Sequence, residues 1–438
     1  MKETLTITEH QEIKVDEIRN ISKFTISDQD KWLLLSITHK NKHGKKKHVF
    51  SRARNLKNGL KANSIVGSIS LKSGLIVEIL PKYAKGDLNN NSIKRYRKTL
   101  LNMIRVSNER NFIRSTTQSS KISIGEMPII RYIIELFSES LLNSLRNKSF
   151  SSYSKVIEKS SSIRGNILVE KTIQANLIDK SKVYISYNKH SSNNTLMSVF
   201  RTLSNILLND TNLSYRAKNN FNEVYLLLYD VDLINIKQQD FKNMSFNRLN
   251  DSFKVLFKQA EFIFNKYMPF SSSVNSTPFW AILFDMNYLF EKFCSYLFRK
   301  SNIEIKEQNL MKCFSSEHYC ISMKPDFIIY NNGEVASIAD AKWKLLSKNN
   351  ILDGLNSQNF WQLFSYMNLV SNQEVNGYFI VPKNNKEIDD EIVFSSRITG
   401  HKNINILSID FSLEFEDIIN KYRFEFVENT LRLKKIVY

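Results

Sequence analysis

The chain has 438 residues and a formal net charge of +19, with 62 Lys and Arg against 43 Asp and Glu. That length allows two or three domains, each burying its own core, and a hydrophobic share of 42% with 29 Phe and 18 Tyr excludes disorder as the dominant state. No run reaches transmembrane length, and "MKETLTITEHQEIKVDEI" lacks the apolar core of a signal peptide, so a cytoplasmic protein with no membrane partner is expected.

Lys and Arg lie along the whole chain, which makes the body of the protein basic. A nucleic-acid partner is the first reading of such charge, because it neutralises phosphate. A Lys/Asn/Ile-heavy coding bias gives the same surplus, and charge alone does not choose between them. Cys294, Cys313 and Cys320 cannot all pair, and no Cys/His spacing suits zinc, so a reduced setting fits best.

Residues 1–91 read as a β-rich domain. "KFTISDQ", "KWLLLSITHK" and "GSISLKSGLIVEILPKY" alternate and are rich in β-branched residues, and "KNKHGKKKHVF" looks like a basic hairpin tip around Gly44. Over residues 92–270 the period turns helical. In "MPIIRYIIELFSESLLNSLRN" it puts Ile130, Ile133, Ile134, Phe137, Leu141 and Leu145 on one core-facing side. "TLMSVFRTLSNILLN" and "NRLNDSFKVLFKQAEFIFNKYM" repeat the pattern, and "KSSSIRGNILVEKTI" reads as a polar loop leading into a strand-like run. The Ser-rich "PFSSSVNSTPFW" (269–280) is the best linker. After it, residues 271–438 alternate helix, strands, helix and strands, starting from a helix over "FWAILFDMNYLFEKFCSYLFRK" and implying an α/β domain with a mixed sheet. The fold class is therefore multidomain α+β.

The chemistry concentrates in "MKPDFIIYNNGEVASIADAKWKLL" (323–346). A hairpin centred on Gly333 sets Asp326 opposite Asp340, with Cβ atoms roughly 4.5–5.5 Å apart. A two-residue Asn332-Gly333 turn shifts that register by one, so it stays open by a residue. Opposed carboxylates repel and need a cation, and oxygen-only ligands suit Mg²⁺. Strand alternation puts Lys342 on the face of Asp340, where an ammonium can stabilise charge developing on a phosphate or orient the attacking water; Lys344 extends that face. For these residues alone, an exposed hairpin with an Asp–Lys pair is the better account.

Two flanking helices shift the balance. Glu291, in "NYLFEKFCSY", has no cation three or four residues away, and a carboxylate among so many aromatics needs water, a proton or a metal. On "SQNFWQLFSYMNLVSN", Phe360, Leu363, Phe364 and Met367 form the buried stripe, while Gln362 and Tyr366 share a different face.

Glu291, Pro325-Asp326, Asp340-Ala341-Lys342 and Gln362-x-x-x-Tyr366, in that order, resemble the PD-(D/E)xK nuclease superfamily in its version with a Gln-x-x-x-Tyr helix. "DMNYLFEKF", "DAKWK", "GSISLKSGLIVEILPKY" and "SIRGNI" are similar to segments of the McrC family, the nuclease subunit of McrBC-type modified-cytosine restriction systems, which serve in antiphage defence. Residues 143–156 lack the Gly-Leu-containing basic segment of that family. The resemblance implies a C-terminal PD-(D/E)xK-type nuclease domain that cuts double-stranded DNA with Mg²⁺, Mn²⁺ being the alternative ion. Asp326 and Asp340 would bind the metal, with the Ala341 carbonyl as a further ligand and Glu291 completing or supporting the shell. Lys342 would assist the attacking water, and Gln362 and Tyr366 would hold the site or the DNA backbone. It also implies a hexameric McrB-like AAA+ GTPase partner, docked by the N-terminal domain, so that GTP enters only through that subunit; pairing of two nuclease domains for double-strand cutting is a further open expectation. The rivals are a stand-alone repair or recombination nuclease of the same fold and a non-enzymatic AAA+ activator that clamps DNA.

Overall fold

The computed structural model describes residues 4–14, 28–40, 44–54, 56, 59–71, 75–86, 88–107, 125, 127–147, 152–175, 181–191, 193–209, 213–248, 250–266, 280–315, 319–346, 354–370, 375–383, 391–395, 402–427 and 430–435. The chain forms two compact units. One comprises Met1–Arg110, Ser123–Ile130 and Ala281–Tyr438, the other Asn111–Ile122 and Arg131–Trp280. This differs from the three consecutive segments expected. The N-terminal strands and the C-terminal part share a unit because Trp280–Asp285 is a strand that closes the N-terminal sheet, in the order Thr4–Thr8, Ile76–Leu80, Ile65–Ser70, Trp280–Asp285. Gly67 permits that closure: its φ is +131°, and a Cβ there would collide with the carbonyl of Ile282.

Residues 280–285 were expected to begin a helix. The run "WAILF" before Asp285 is apolar throughout, and Ala281, Ile282, Leu283 and Phe284 are all buried, so periodicity does not separate strand from helix there. The helix starts only at Met286, after Asp285 caps it by accepting from the Asn287 N–H at 3.0 Å, and runs to Lys300. A second correction concerns "KWLLLSITHK". Asp28–Ser36 is a helix with Asp28 and Asp30 in its first turn, and only Thr38–Lys40 is extended, pairing with Lys46–His48 around Gly44. Most of "KFTISDQ" and all but the last residue of the proposed linker 269–280 lie outside the described residues.

The rest of the first unit is built on a six-stranded mixed sheet. Its order is Glu304–Glu307, Phe327–Asn331, Glu334–Ala341, Asn376–Pro382, Asn403–Ile409, Glu391–Ser395. Glu334–Ala341, Asn376–Pro382 and Asn403–Ile409 are parallel to one another and the remaining pairings are antiparallel. The helix Ser357–Val370 lays Leu363, Tyr366 and Met367 on Ile338, Phe379, Val381 and Ile406, so Tyr366, expected on a different face, joins the buried stripe, while Phe360 and Phe364, expected in it, are only half-buried. Phe298, on the helix Met286–Lys300, packs against Phe327 and stacks on Phe424. The expected strands "NIEIKEQ", "DFIIY", "EVASIADAKW", "GYFIVP" and "INILSIDF" are all present, as is the helix at 357–370.

The second unit is helical with one small sheet. Helices Thr195–Leu208 and Tyr215–Leu227 are capped by Asn194 and Ser214, whose side chains accept from the N–H of Met197 and Ala217. With Ile129–Asn147 and Lys254–Lys266 they bury Phe137, Phe200, Phe221, Phe253 and Phe257. The expected stripe Ile133, Ile134, Phe137, Leu141 and Leu145 is buried. Ser152–Ser160, Val183–Ser191 and Asn166–Ile167 form an antiparallel sheet that leaves Ile157, Ile163, Ile167, Val169 and Ile173 of this region exposed. Among the described residues, no helix of either unit is long and apolar enough to cross a membrane.

Within "GLIVEILPKY", residues 75–81 and Tyr83 are buried rather than displayed. Glu78 in its strand is 0% exposed and receives the guanidinium of Arg97 through Nε at 2.9 Å and Nη2 at 2.7 Å. The N–H of Ile129 and the hydroxyl of Thr6 donate to the same carboxylate. Arg97→Ala leaves Glu78 an uncompensated buried charge and is expected to destabilise the protein by about 3–5 kcal/mol, measured as a shift in the denaturant midpoint; an unchanged midpoint would contradict the role given to this pair.

Candidate functional site

The hairpin resolves the register. Asn332 (φ +52°) and Gly333 (φ +84°) form a two-residue turn with both residues left-handed, so Asn331 pairs with Glu334 and Tyr330 with Val335. A bulge then intervenes, and Ile329 faces Ser337, Ile328 faces Ile338 and Phe327 faces Ala339. The extra residue restores the pairing in which Asp326, one position beyond the ladder, stands opposite Asp340. The turn considered as the alternative and the register first expected are both present, reconciled by one inserted residue.

Each carboxylate is held differently. Asp326 Oδ2 accepts from the N–H of Ala341 at 3.1 Å, which ties it to the strand carrying Asp340. Its Oδ1 accepts from Gln308 Nε2 at 2.7 Å, and the same amide nitrogen donates to Glu291 Oε1 at 2.9 Å. Glu291 is 4% exposed, so its expected aromatic setting is real, and Gln308 on a neighbouring strand end answers it. Burial, with the charges of Asp326 and Glu291 nearby, pushes the Cys294 thiol well up from its ordinary value.

Asp340 is 4% exposed at the end of its strand. The Lys342 ammonium lies 2.5 Å from its Oδ2 as an ion-pair contact, while that buried oxygen accepts no aligned hydrogen bond. The Lys342 N–H donates to the Ile380 carbonyl at 2.9 Å, carrying the parallel pairing one residue past the strand. Lys344 donates to Asn359 Oδ1 at 2.9 Å, and burial together with the Lys342 charge lowers its pKa.

From the helix Ser357–Val370, Gln362 Nε2 donates to the Tyr366 hydroxyl at 2.9 Å. Burial and the charge of Asp340 push that hydroxyl up to about 12, with Asp326 adding to the effect. The structure thus brings Asp326, Asp340, Lys342, Glu291, Gln362 and Tyr366 together in one unit.

Four contributors went unread in the sequence. Gln308 and Asn359 were ordinary polar letters in "NIEIKEQ" and "LNSQNF". Glu9 and Lys82 lie far from the motif in sequence. Glu9, 0% exposed, accepts at Oε2 from Trp343 Nε1 at 2.9 Å and from the Lys82 N–H at 2.9 Å. The Lys82 ammonium donates to the Trp343 carbonyl at 2.5 Å, and Tyr83 packs edge-on to the Trp343 ring. The N-terminal segment therefore clasps the residue immediately after Lys342.

Among the described residues, no three His, Cys, Asp or Glu side chains gather closely enough to hold a metal by themselves. Mg²⁺ does not require that: it commonly takes one or two carboxylates and keeps waters and phosphate oxygens. Asp326, Asp340 with its Oδ2 outside any aligned hydrogen bond, and the backbone carbonyl of Ala341 fit that requirement.

The geometry defines a class: an α/β unit carrying a carboxylate pair and a lysine at the ends of adjacent strands of a mixed sheet. The profile of the McrBC 5-methylcytosine restriction system component family matches residues 60–382, about three-quarters of the chain, and the protein belongs to that family. Among solved structures it is similar to a chain in the refined half-complex from a tetradecameric assembly of Thermococcus gammatolerans McrB AAA+ hexamers with bound McrC. The identity is 19%, with 93% of this chain and 94% of that chain covered and a TM-score of 0.68, which shows a shared fold. A chain in the cryo-EM structure of the Thermococcus gammatolerans McrBC complex is 18% identical, covering 69% of this chain and 89% of that one, at a TM-score of 0.47. No curated protein matches the chain.

Burial raises the Glu9 carboxyl from 4.5 to about 7 against the pull of Lys82 and Trp343. The folded protein therefore holds this proton more tightly than the unfolded chain does. The corresponding stability is fully present below pH 4.5 and is lost as pH rises through about 7. The stability difference between wild type and Glu9→Gln should shift against wild type over that interval, read from thermal unfolding across the pH series; a pH-independent difference would remove Glu9 as its source.

Proposed function

We propose that this chain is the Mg²⁺-dependent endonuclease subunit of a GTP-driven, modification-dependent restriction system, and that its mixed-sheet domain is of PD-(D/E)xK type. The observation that carries the reading is the opposition of Asp326 and Asp340 with the Lys342 ammonium against Asp340. Two carboxylates opposed across a strand pair repel phosphate unless a cation lies between them and the DNA, so a clamp that only binds DNA has no use for them.

A bound Mg²⁺, or Mn²⁺ in its place, would supply Lewis acidity at the scissile phosphate and lower the pKa of a bound water. Asp326, Asp340 and the Ala341 carbonyl would hold it, with Glu291 completing or supporting the shell. Lys342 places a positive charge beside Asp340, where it can orient the attacking water or stabilise charge developing on the phosphate. Gln362 and Tyr366 form a hydrogen-bonded pair at the same edge and would position the backbone of the DNA. Tyr366 stays protonated at physiological pH and so serves as a donor rather than a base.

The net charge of +19 suits a duplex DNA partner. By analogy with the McrB hexamers and bound McrC of the similar structure, the partner would be an AAA+ GTPase whose hydrolysis this chain stimulates. Lys342→Ala and Asp340→Asn, assayed on methylated DNA with that GTPase, should each lower cleavage by at least about a hundredfold, while co-purification of the complex and its GTP turnover persist. Cleavage retained in both variants would sink the assignment. Cutting by the purified chain without nucleotide or partner would instead favour a stand-alone nuclease of the same fold.

A further inference from the structure

The amide of Gln308 occupies the junction of two acidic groups, and its placement is built by the fold. The edge strand Glu304–Glu307 pairs antiparallel with Phe327–Asn331, Glu307 facing Phe327. One residue further, the Gln308 N–H donates to the Asp326 carbonyl at 3.0 Å, so Gln308 stands beside Asp326 by register. Its φ is +51°, in the left-handed region that a Gln backbone seldom adopts without compensation.

The compensation is the side chain. Gln308 Nε2 reaches Asp326 Oδ1 at 2.7 Å and Glu291 Oε1 at 2.9 Å. An ionised carboxylate only accepts, so the group between the two must be the NH₂ end of the amide, with one proton directed to each. Asp326 Oδ2 already accepts from the Ala341 N–H, which leaves Oδ1 as the oxygen turned toward Glu291. The amide hydrogens and a divalent cation shared by these carboxylates would seek the same lone pairs.

We propose that Gln308 is a positioning residue that acts as an internal placeholder: its amide bridges Asp326 and Glu291 in the ion-free protein and is displaced when a divalent cation binds between them. The residue thereby sets metal affinity, holding the acidic site assembled before the ion arrives and weakening the ion's hold once it is there. This rests on the metal reading given under Proposed function.

The test uses the full chain without DNA or partner. Mg²⁺ and Mn²⁺ affinities are measured by calorimetry, and ion-free melting temperatures are taken for wild type, Gln308→Met and Gln308→Asn. Met keeps the length without donors, and Asn keeps an amide too short to bridge, so one variant serves if the other does not fold. The expected result is opposite in sign for the two readouts: metal Kd falls by at least about tenfold, since even one charge-assisted hydrogen bond no longer competing with the ion implies that much, while the ion-free melting temperature drops. A merely structural Gln308 would lower the melting temperature and leave Kd unchanged or raised, and that result overturns the proposal. Asp340→Asn measured alongside separates the two readings: if wild type and Asp340→Asn bind the ions equally, or wild type binds none, the metal reading falls and the placeholder with it.

Discussion

The pairing of Phe327–Asn331 with Glu334–Ala341 is the constraint on which the site depends. A strand pair alternates faces with a period of two, so a slip of one residue would carry Asp340 and Lys342 to the opposite face and Ile338 out of its core. The tight Asn332-Gly333 turn on its own would impose that slip. The bulge beside Ile329 cancels it, and the buried contacts of Ile328 and Ile338 hold the corrected register. Apolar burial in the middle of the hairpin thus stabilises an electrostatically costly arrangement at its end.

That costly end is braced from three directions. The helix Met286–Lys300 brings Glu291, the edge strand brings Gln308, and Ser357–Val370 brings Gln362 and Tyr366. The N-terminal sheet adds a fourth support. Glu9, Lys82 and Tyr83 enclose Trp343, so the lysines on either side of that tryptophan flank a buried, hydrogen-bonded residue. The segment "GLIVEILPKY" accordingly has an internal role: Glu78 locks Arg97, and Lys82 and Tyr83 lock the strand that carries Asp340. Buried charges of this kind contribute specificity of arrangement more than net stability, because their desolvation offsets much of their attraction.

Both units leave large apolar side chains exposed. The first shows Trp32, Leu310, Ile321, Trp361 and Val393, and the second several isoleucines and a valine on and around its small sheet. The chain belongs to a family of restriction-system components and shares its fold with a chain from an assembly of McrB hexamers with bound McrC.

Much of the site was legible before the fold. Pro325-Asp326, Asp340-x-Lys342 and the Gln362/Tyr366 spacing are local patterns, and strand and helix periodicity places such residues on shared faces by itself. The same holds for the helical stripes of the second unit and for most strands after residue 300. What local pattern does not contain is the partner across the chain. Ala281–Phe284 is apolar on both faces, and it is a strand here because it joins the edge of Ile65–Ser70, where Gly67 allows the close approach. Gln308 is one more polar residue at a strand end until the ladder sets it beside Asp326, and Glu9 meets Trp343 across 334 positions. The sequence by itself determined which residues could do the chemistry, because their types and spacings are chemical requirements. Tertiary structure decided their register, their supports and the amide between the carboxylates, because those follow from long-range burial and pairing.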